Sequence, residues 1–88
     1  MNNNFIFNLE EIKPGMLIKT AVPNGIYSKK FRISDEFSWT ISDKIMIVLD
    51  KPIEDPEGYY FFIKVFYDGK IGYILWSNNG ETNLIYEI

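Results

Sequence analysis

The stretch Tyr59–Trp76, "YYFFIKVFYDGKIGYILW", decides the fold. Two apolar runs flank Asp68-Gly69, and an Asp-Gly pair between such runs is the strongest short-range sign of a β-hairpin. A two-residue type I′ turn needs positive φ at both central positions, which aspartate tolerates and glycine adopts freely. The turn fixes the register. Tyr67 faces Lys70, Val65 faces Gly72, Ile63 faces Ile74 and Phe61 faces Trp76 on one surface. Phe66 faces Ile71, Lys64 faces Tyr73 and Phe62 faces Leu75 on the other. A sheet in a small domain has one core face, yet both of these are apolar. The first is the better core, because Ile63, Val65 and Ile74 are compact and branched and Gly72 suits a crowded inward position. The second carries Lys64 at mid-strand and tyrosines whose hydroxyls favour water.

That assignment leaves Tyr60, Phe62, Lys64, Phe66 and Tyr73 as candidate partner-binding residues on an outward aromatic face. Three arrangements account for such a face. The N-terminal segment folds over it as a lid of Phe5, Ile6, Phe7 and Leu9. Alternatively a second chain covers it, either a copy of the protein or a foreign partner. In the third, a bulge shifts the register and turns part of the set inward.

Outward from the hairpin, strands continue to dominate. "DKIMIVLDKP" holds a continuous apolar run from Ile45 to Leu49, stopped by Pro52, which reads as a buried strand. The acidic "DKPIEDPEG" after it, with two prolines and a glycine, reads as a loop. Pro14-Gly15 is a turn signal before Met16, Ile18 and Thr20, which alternate with Leu17 and Lys19 as a first strand. Pro23-Asn24-Gly25 marks another turn. From Ala21 to Ser42 the pattern weakens into a long excursion, with short extended pieces around Phe31–Ile33 and Trp39–Ile41. Ser77–Gly80 is a turn and Leu84–Ile88 a last strand. Phe5 to Leu9 reads as a short strand or a turn of helix packed on the body, behind a polar tail at Met1–Asn4. The fold expected is all-β: a small five-stranded barrel over residues 13–88, with a long early loop and an N-terminal extension over residues 1–12.

Composition narrows the chemistry. The 88 residues make one small domain, with 47% apolar residues and 17% aromatic ones. There is no cysteine and no histidine. Disulfides, thiolate or imidazole metal ligands, and Cys-His or Ser-His-Asp catalysis therefore fall away. A net charge of −3 is the wrong sign for a chain whose main task is gripping phosphate backbones. No apolar run approaches bilayer-spanning length. The N-terminus turns acidic at Glu10-Glu11, so the expectation is a cytoplasmic protein without a signal peptide.

The order of "KPGMLIK", a long variable loop, "KIMIVLD", a hairpin closing on "DGKIGYI" and a terminal "LIYEI" resembles an SH3-like barrel of the kind that KOW and Tudor modules adopt. The Gly72-Tyr73-Ile74 step is similar to the Gly-aromatic-aliphatic step of those barrels. The tail also resembles that of small bacteriophage-encoded proteins, which would place the chain in a host cytoplasm. Taken with the outward aromatic face, the expected function is a non-enzymatic interaction module that binds a host or viral protein or associates with itself as a homodimer through that face. The resemblance does not extend to proline-rich peptide binding. The long loop lacks the acidic run and tyrosine pair of that subgroup, and Leu75 stands where its proline would be.

Other motifs have plainer readings beside their functional ones. "IYSKKFR" places Lys29, Lys30 and Arg32 beside Tyr27 and Phe31, cations interleaved with rings as single-stranded RNA or DNA binding requires. KOW and Tudor relatives include RNA binders, so a nucleic-acid-binding barrel is the alternative function, set against an ordinary exposed loop. Carboxylate pairs at Glu10-Glu11, Asp35-Glu36 and Glu54-Asp55 all sit beside turn residues. There they read as solvated surface rather than as the opposed carboxyls of acid-base catalysis. Asp50, Glu54, Asp55 and Glu57 lack the ligand spacing of a calcium loop. Trp39 and Trp76 suit either a cation cage or the ends of a barrel core. No cofactor is expected, and the partner expected is a protein rather than a membrane.

Overall fold

The computed structural model describes residues 4–20, 24–27, 37–40, 44–77 and 85–88, with residues 4, 24–27 and 37–40 described by their backbone alone. Among these residues the chain forms nine strands and no α-helix: β1 (Asn4–Phe5), β2 (Leu17–Thr20), β3 (Asn24–Tyr27), β4 (Phe37–Thr40), β5 (Met46–Val48), β6 (Ile53–Glu54), β7 (Tyr60–Tyr67), β8 (Lys70–Ser77) and β9 (Ile85–Glu87). A single 3-10 turn spans Leu9–Glu11. Every pairing is antiparallel, in one sheet ordered β1-β9-β2-β5-β7-β8-β3-β4, with β6 pairing β7 off that path. The protein is all-β. Among the described residues the sheet is open, with β1 and β4 at its ends, rather than closed into a five-stranded barrel.

The hairpin β7–β8 has the register that its turn dictates, from Tyr67 opposite Lys70 to Tyr60 opposite Ser77. Asp68 and Gly69 hold φ of 52° and 76°, both in the left-handed region that a type I′ turn demands. Val65, Ile63, Ile74, Gly72 and Trp76 all point inward and are buried. The other strands add their alternate residues to the same side: Ile18 and Thr20 from β2, Met46 and Val48 from β5, and Ile85 from β9. Ile6 and Ile12, on either side of the 3-10 turn, complete a core of ten buried apolar residues. Each such side chain contributes roughly 1.5–3 kcal/mol by leaving water.

Three local expectations change. The acidic segment after β5 is not all loop, because Ile53 and Glu54 pair with Phe62 and Phe61 as β6, and Asp55 and Tyr60 then close a turn through Asp55 N–H to the Tyr60 carbonyl at 2.8 Å. An apolar residue opposite Phe62 outweighs the turn signal, and Pro52 sits just before the strand, where its missing N–H costs no ladder bond. Asn24-Gly25 is not a turn but the start of β3, which pairs along its length with β4. The piece expected at Trp39–Ile41 begins earlier, at Phe37, and the one at Phe31–Ile33 lies outside the described residues.

The N-terminal segment does not form the expected lid over the outer aromatic face of the hairpin. Phe5 of β1 pairs with Tyr86 of β9, and β9, β2 and β5 stand between β1 and β7. Ile6 N–H bonds to the Ile85 carbonyl at 2.8 Å, which turns the Ile6 side chain into the main core. Burial of Ile6 and Ile12, with Leu9 packed against them, draws the segment to the core side of the sheet.

Candidate functional site

The opposite face of the sheet carries the expected aromatic set, with one exception. Phe66 is 40% exposed, while Tyr60, Lys64 and Tyr73 are half-buried. Phe62 is the correction: it points away from the main core yet is fully buried. Its ring stands edge-on to Tyr73 at 6.4 Å, with Ile53 and Leu75 as its cross-strand neighbours on β6 and β8. The extra strand β6 extends the sheet beside this end of β7, so Phe62 has no surface left for a partner.

A larger feature emerges once the strands are aligned. Leu17 of β2 lies opposite Ile47 of β5, Ile47 opposite Phe66 of β7, and Phe66 opposite Ile71 of β8. On the other flank Ile88 N–H donates to the Leu17 carbonyl at 3.0 Å, which extends the β2–β9 register by one residue and sets Ile88 beside Leu17. The result is a stripe, Ile88–Leu17–Ile47–Phe66–Ile71, that crosses five neighbouring strands without a charged side chain. All five side chains are exposed, between 37% and 57%.

Two rows border this stripe. On one side Leu49, Lys64 and Tyr73 follow one another across β5, β7 and β8, with Leu49 N–H bonded to the Lys64 carbonyl at 2.8 Å. On the other side Ile45 extends the β2–β5 register beside Lys19, and Lys19 lies opposite Tyr86. Of the nine large hydrophobic residues exposed among those described, seven (Leu17, Ile45, Ile47, Leu49, Phe66, Ile71 and Ile88) lie on this face. Scattered exposed leucines and isoleucines are ordinary, but their concentration on one sheet face is not. Residues 59–76 read alone locate only Phe66 and its aromatic neighbours. The signal for the rest was the strict alternation of Leu17, Ile47 and Ile71 with buried residues, legible only after the strands are placed side by side.

Elsewhere the candidates separate. Trp76 lies in the main core and so is not a wall of a cation cage. Tyr27 belongs to β3, opposite Phe37 and Tyr73, and the nucleic-acid candidates Lys29, Lys30, Phe31 and Arg32 lie outside the described residues. Glu10 and Glu11 are exposed in the 3-10 turn, and Asp35-Glu36 lies outside the described residues. Among the described residues no group of three carboxylates gathers to hold a metal ion. A cleft of about 470 Å³ runs between the 3-10 turn and the segment after β5, with an apolar floor of Leu9, Ile12, Pro14 and Pro52 and with Glu10, Lys13 and Lys51 at its rim. It holds a single carboxylate, not a facing pair. No helix among the described residues is long and apolar enough to cross a membrane. Comparison with protein-family models, with curated proteins and with solved structures finds no match for this chain.

Proposed function

We propose that this chain is a non-enzymatic protein-interaction module that docks a protein on the outer face of its sheet. The observation that carries this reading is the stripe of apolar side chains from Ile88 to Ile71, exposed across five strands. Aromatic and aliphatic anchors ringed by polar groups are the usual anatomy of a binding patch. Phe66 and Tyr73 are the aromatic anchors. Ile47, Ile71 and Leu17 supply apolar area, and Lys64 supplies a charged contact at the border. The finer architecture we propose is an SH3-like barrel. What supports it is the path β9-β2-β5-β7-β8, in which the last strand returns beside the first and the three strands between form a meander.

The test compares Phe66→Ala with wild type in two measurements. Association, with a second copy or with a protein partner, is expected to weaken at least tenfold, the loss typical of an interfacial aromatic. The melting temperature of dilute protein is expected to fall by about 4–8 °C, the shift that a loss of about 1 kcal/mol gives in a domain of this size. Outright unfolding by Phe66→Ala would place its ring in the core and end the reading.

A further inference from the structure

We infer that the occupant of this face is a second copy of the same chain, seated face to face on a two-fold axis that passes through Ile47. The inference rests on the docking reading above and commits it to one partner. Its basis is the matching of charge across the face and the area the face presents, and a near-symmetry within it makes the two in-plane axes open to such a pair equivalent. A half-turn about the sheet normal at Ile47 carries Phe66 onto Leu17 and Ile71 onto Ile88. The same rotation carries Leu49 onto Ile45, Lys64 onto Lys19 and Tyr73 onto Tyr86. Apolar residues land on apolar residues, lysine on lysine and tyrosine on tyrosine; the turns break the match, Asp68-Gly69 falling on Pro14-Gly15.

A contact between identical surfaces must be complementary to itself, so like charges must not meet across the axis. The side chains of this face satisfy that condition in both orientations open to it. If the axis runs along the stripe, each strand lies over its own copy and the two bordering rows exchange. Lys64 then faces the partner's turn at Asp68-Gly69, and Lys19 faces the turn at Pro14-Gly15. If the axis runs along β5, Lys19 faces the partner's Asp68-Gly69 turn and Lys64 faces Pro14-Gly15. Either way one lysine meets the turn that carries an aspartate, no lysine meets a lysine, and Ile47 meets its own copy. The area is also adequate. Seven apolar side chains at these exposures present on the order of 600 Å² per copy, so a pair buries about 1,200 Å², within the range of specific interfaces. Two sheets packed in this way make a sandwich about 10 Å thick, with the stripes as its inner layer.

Sedimentation across a wide concentration range tests this. Wild type is expected to pass from monomer to dimer, and Ile47→Lys to remain monomeric while keeping its β-sheet circular dichroism. Glu57→Lys, in the exposed turn before β7, is expected to dimerise as wild type does. Should Ile47→Lys fail to fold, Ile71→Lys, at a position 57% exposed, replaces it with the same expectation. The sequence has no cysteine, so single-cysteine variants report without background. Ile47→Cys is expected to be joined to its copy by a bis-maleimide of about 10 Å reach, matched to the spacing between packed sheets, and Glu57→Cys to be left unjoined. A wild type that stays monomeric overturns the second copy, as does a dimer that survives Ile47→Lys or Ile71→Lys, or equal joining of the two cysteine variants. A monomeric wild type leaves the docking reading standing, since a foreign protein can still take the face; that reading falls if Phe66→Ala unfolds the dilute protein or leaves association intact.

Discussion

The two sides of the sheet use much the same residues for opposite ends. Inward stand Ile18, Met46, Val65 and Gly72; outward stand Leu17, Ile47, Phe66 and Ile71, each next in the chain to one of those inward residues. Hydropathy does not separate them. What separates them is what lies on top. The N-terminal segment delivers Ile6 and Ile12 to the inner side, whereas the stripe on the outer side stays in water. Lys64 and Lys19 mark that second side, because an ammonium at mid-strand can be hydrated there and cannot be in the core. A pair of lysines thus identifies the wet face more surely than the apolar residues identify the dry one.

Substitutions on the two sides should therefore differ sharply. Val65→Asp puts an unpaired carboxylate into the inner core and is expected to cost about 5 kcal/mol or more, enough to remove the cooperative transition in urea. A stable, cooperatively folding Val65→Asp would mean that the inner side is not the core. Phe62→Ala should cost about 3–4 kcal/mol in the same measurement, because its ring is fully buried despite pointing outward. Phe66→Ala, four residues further along the same strand and on the same side, should cost about 1 kcal/mol in dilute protein. Equal losses for the two phenylalanines would erase the distinction between them. The smallest effect expected is a gain. The Thr20 hydroxyl is buried with no hydrogen-bond partner among the described residues, so Thr20→Val should raise stability by somewhat under about 1 kcal/mol, read as a higher urea midpoint.

Much of the hairpin was legible in the sequence because its rules are local. Asp68-Gly69 sets the turn, the turn sets the register, and the register assigns each of Tyr60 to Ser77 to a face. The fate of Phe62 was not legible, since β6 lies in a segment whose prolines and acids spell loop, and only the pairing of Ile53 with Phe62 shows otherwise. Nor was the course of the N-terminal segment. Phe5, Ile6 and Phe7 could serve either side of the sheet, and one long-range hydrogen bond, from Ile6 to Ile85, chooses between them. The candidate site was half visible for the same reason. Phe66 and Ile71 meet within one hairpin, whereas Leu17, Ile47 and Ile88 join them only through strands distant in the chain.

The separation between Ile18 and its partner Glu87 has a kinetic side. Closing a two-residue turn takes microseconds, while bringing β2 to β9 means ordering nearly the whole chain first. The hairpin β7–β8 can thus exist before the sheet that shelters it, greasy on both surfaces at once. In that interval the folding chain is at its most adhesive, and a crowded or overproducing cell would find its losses there.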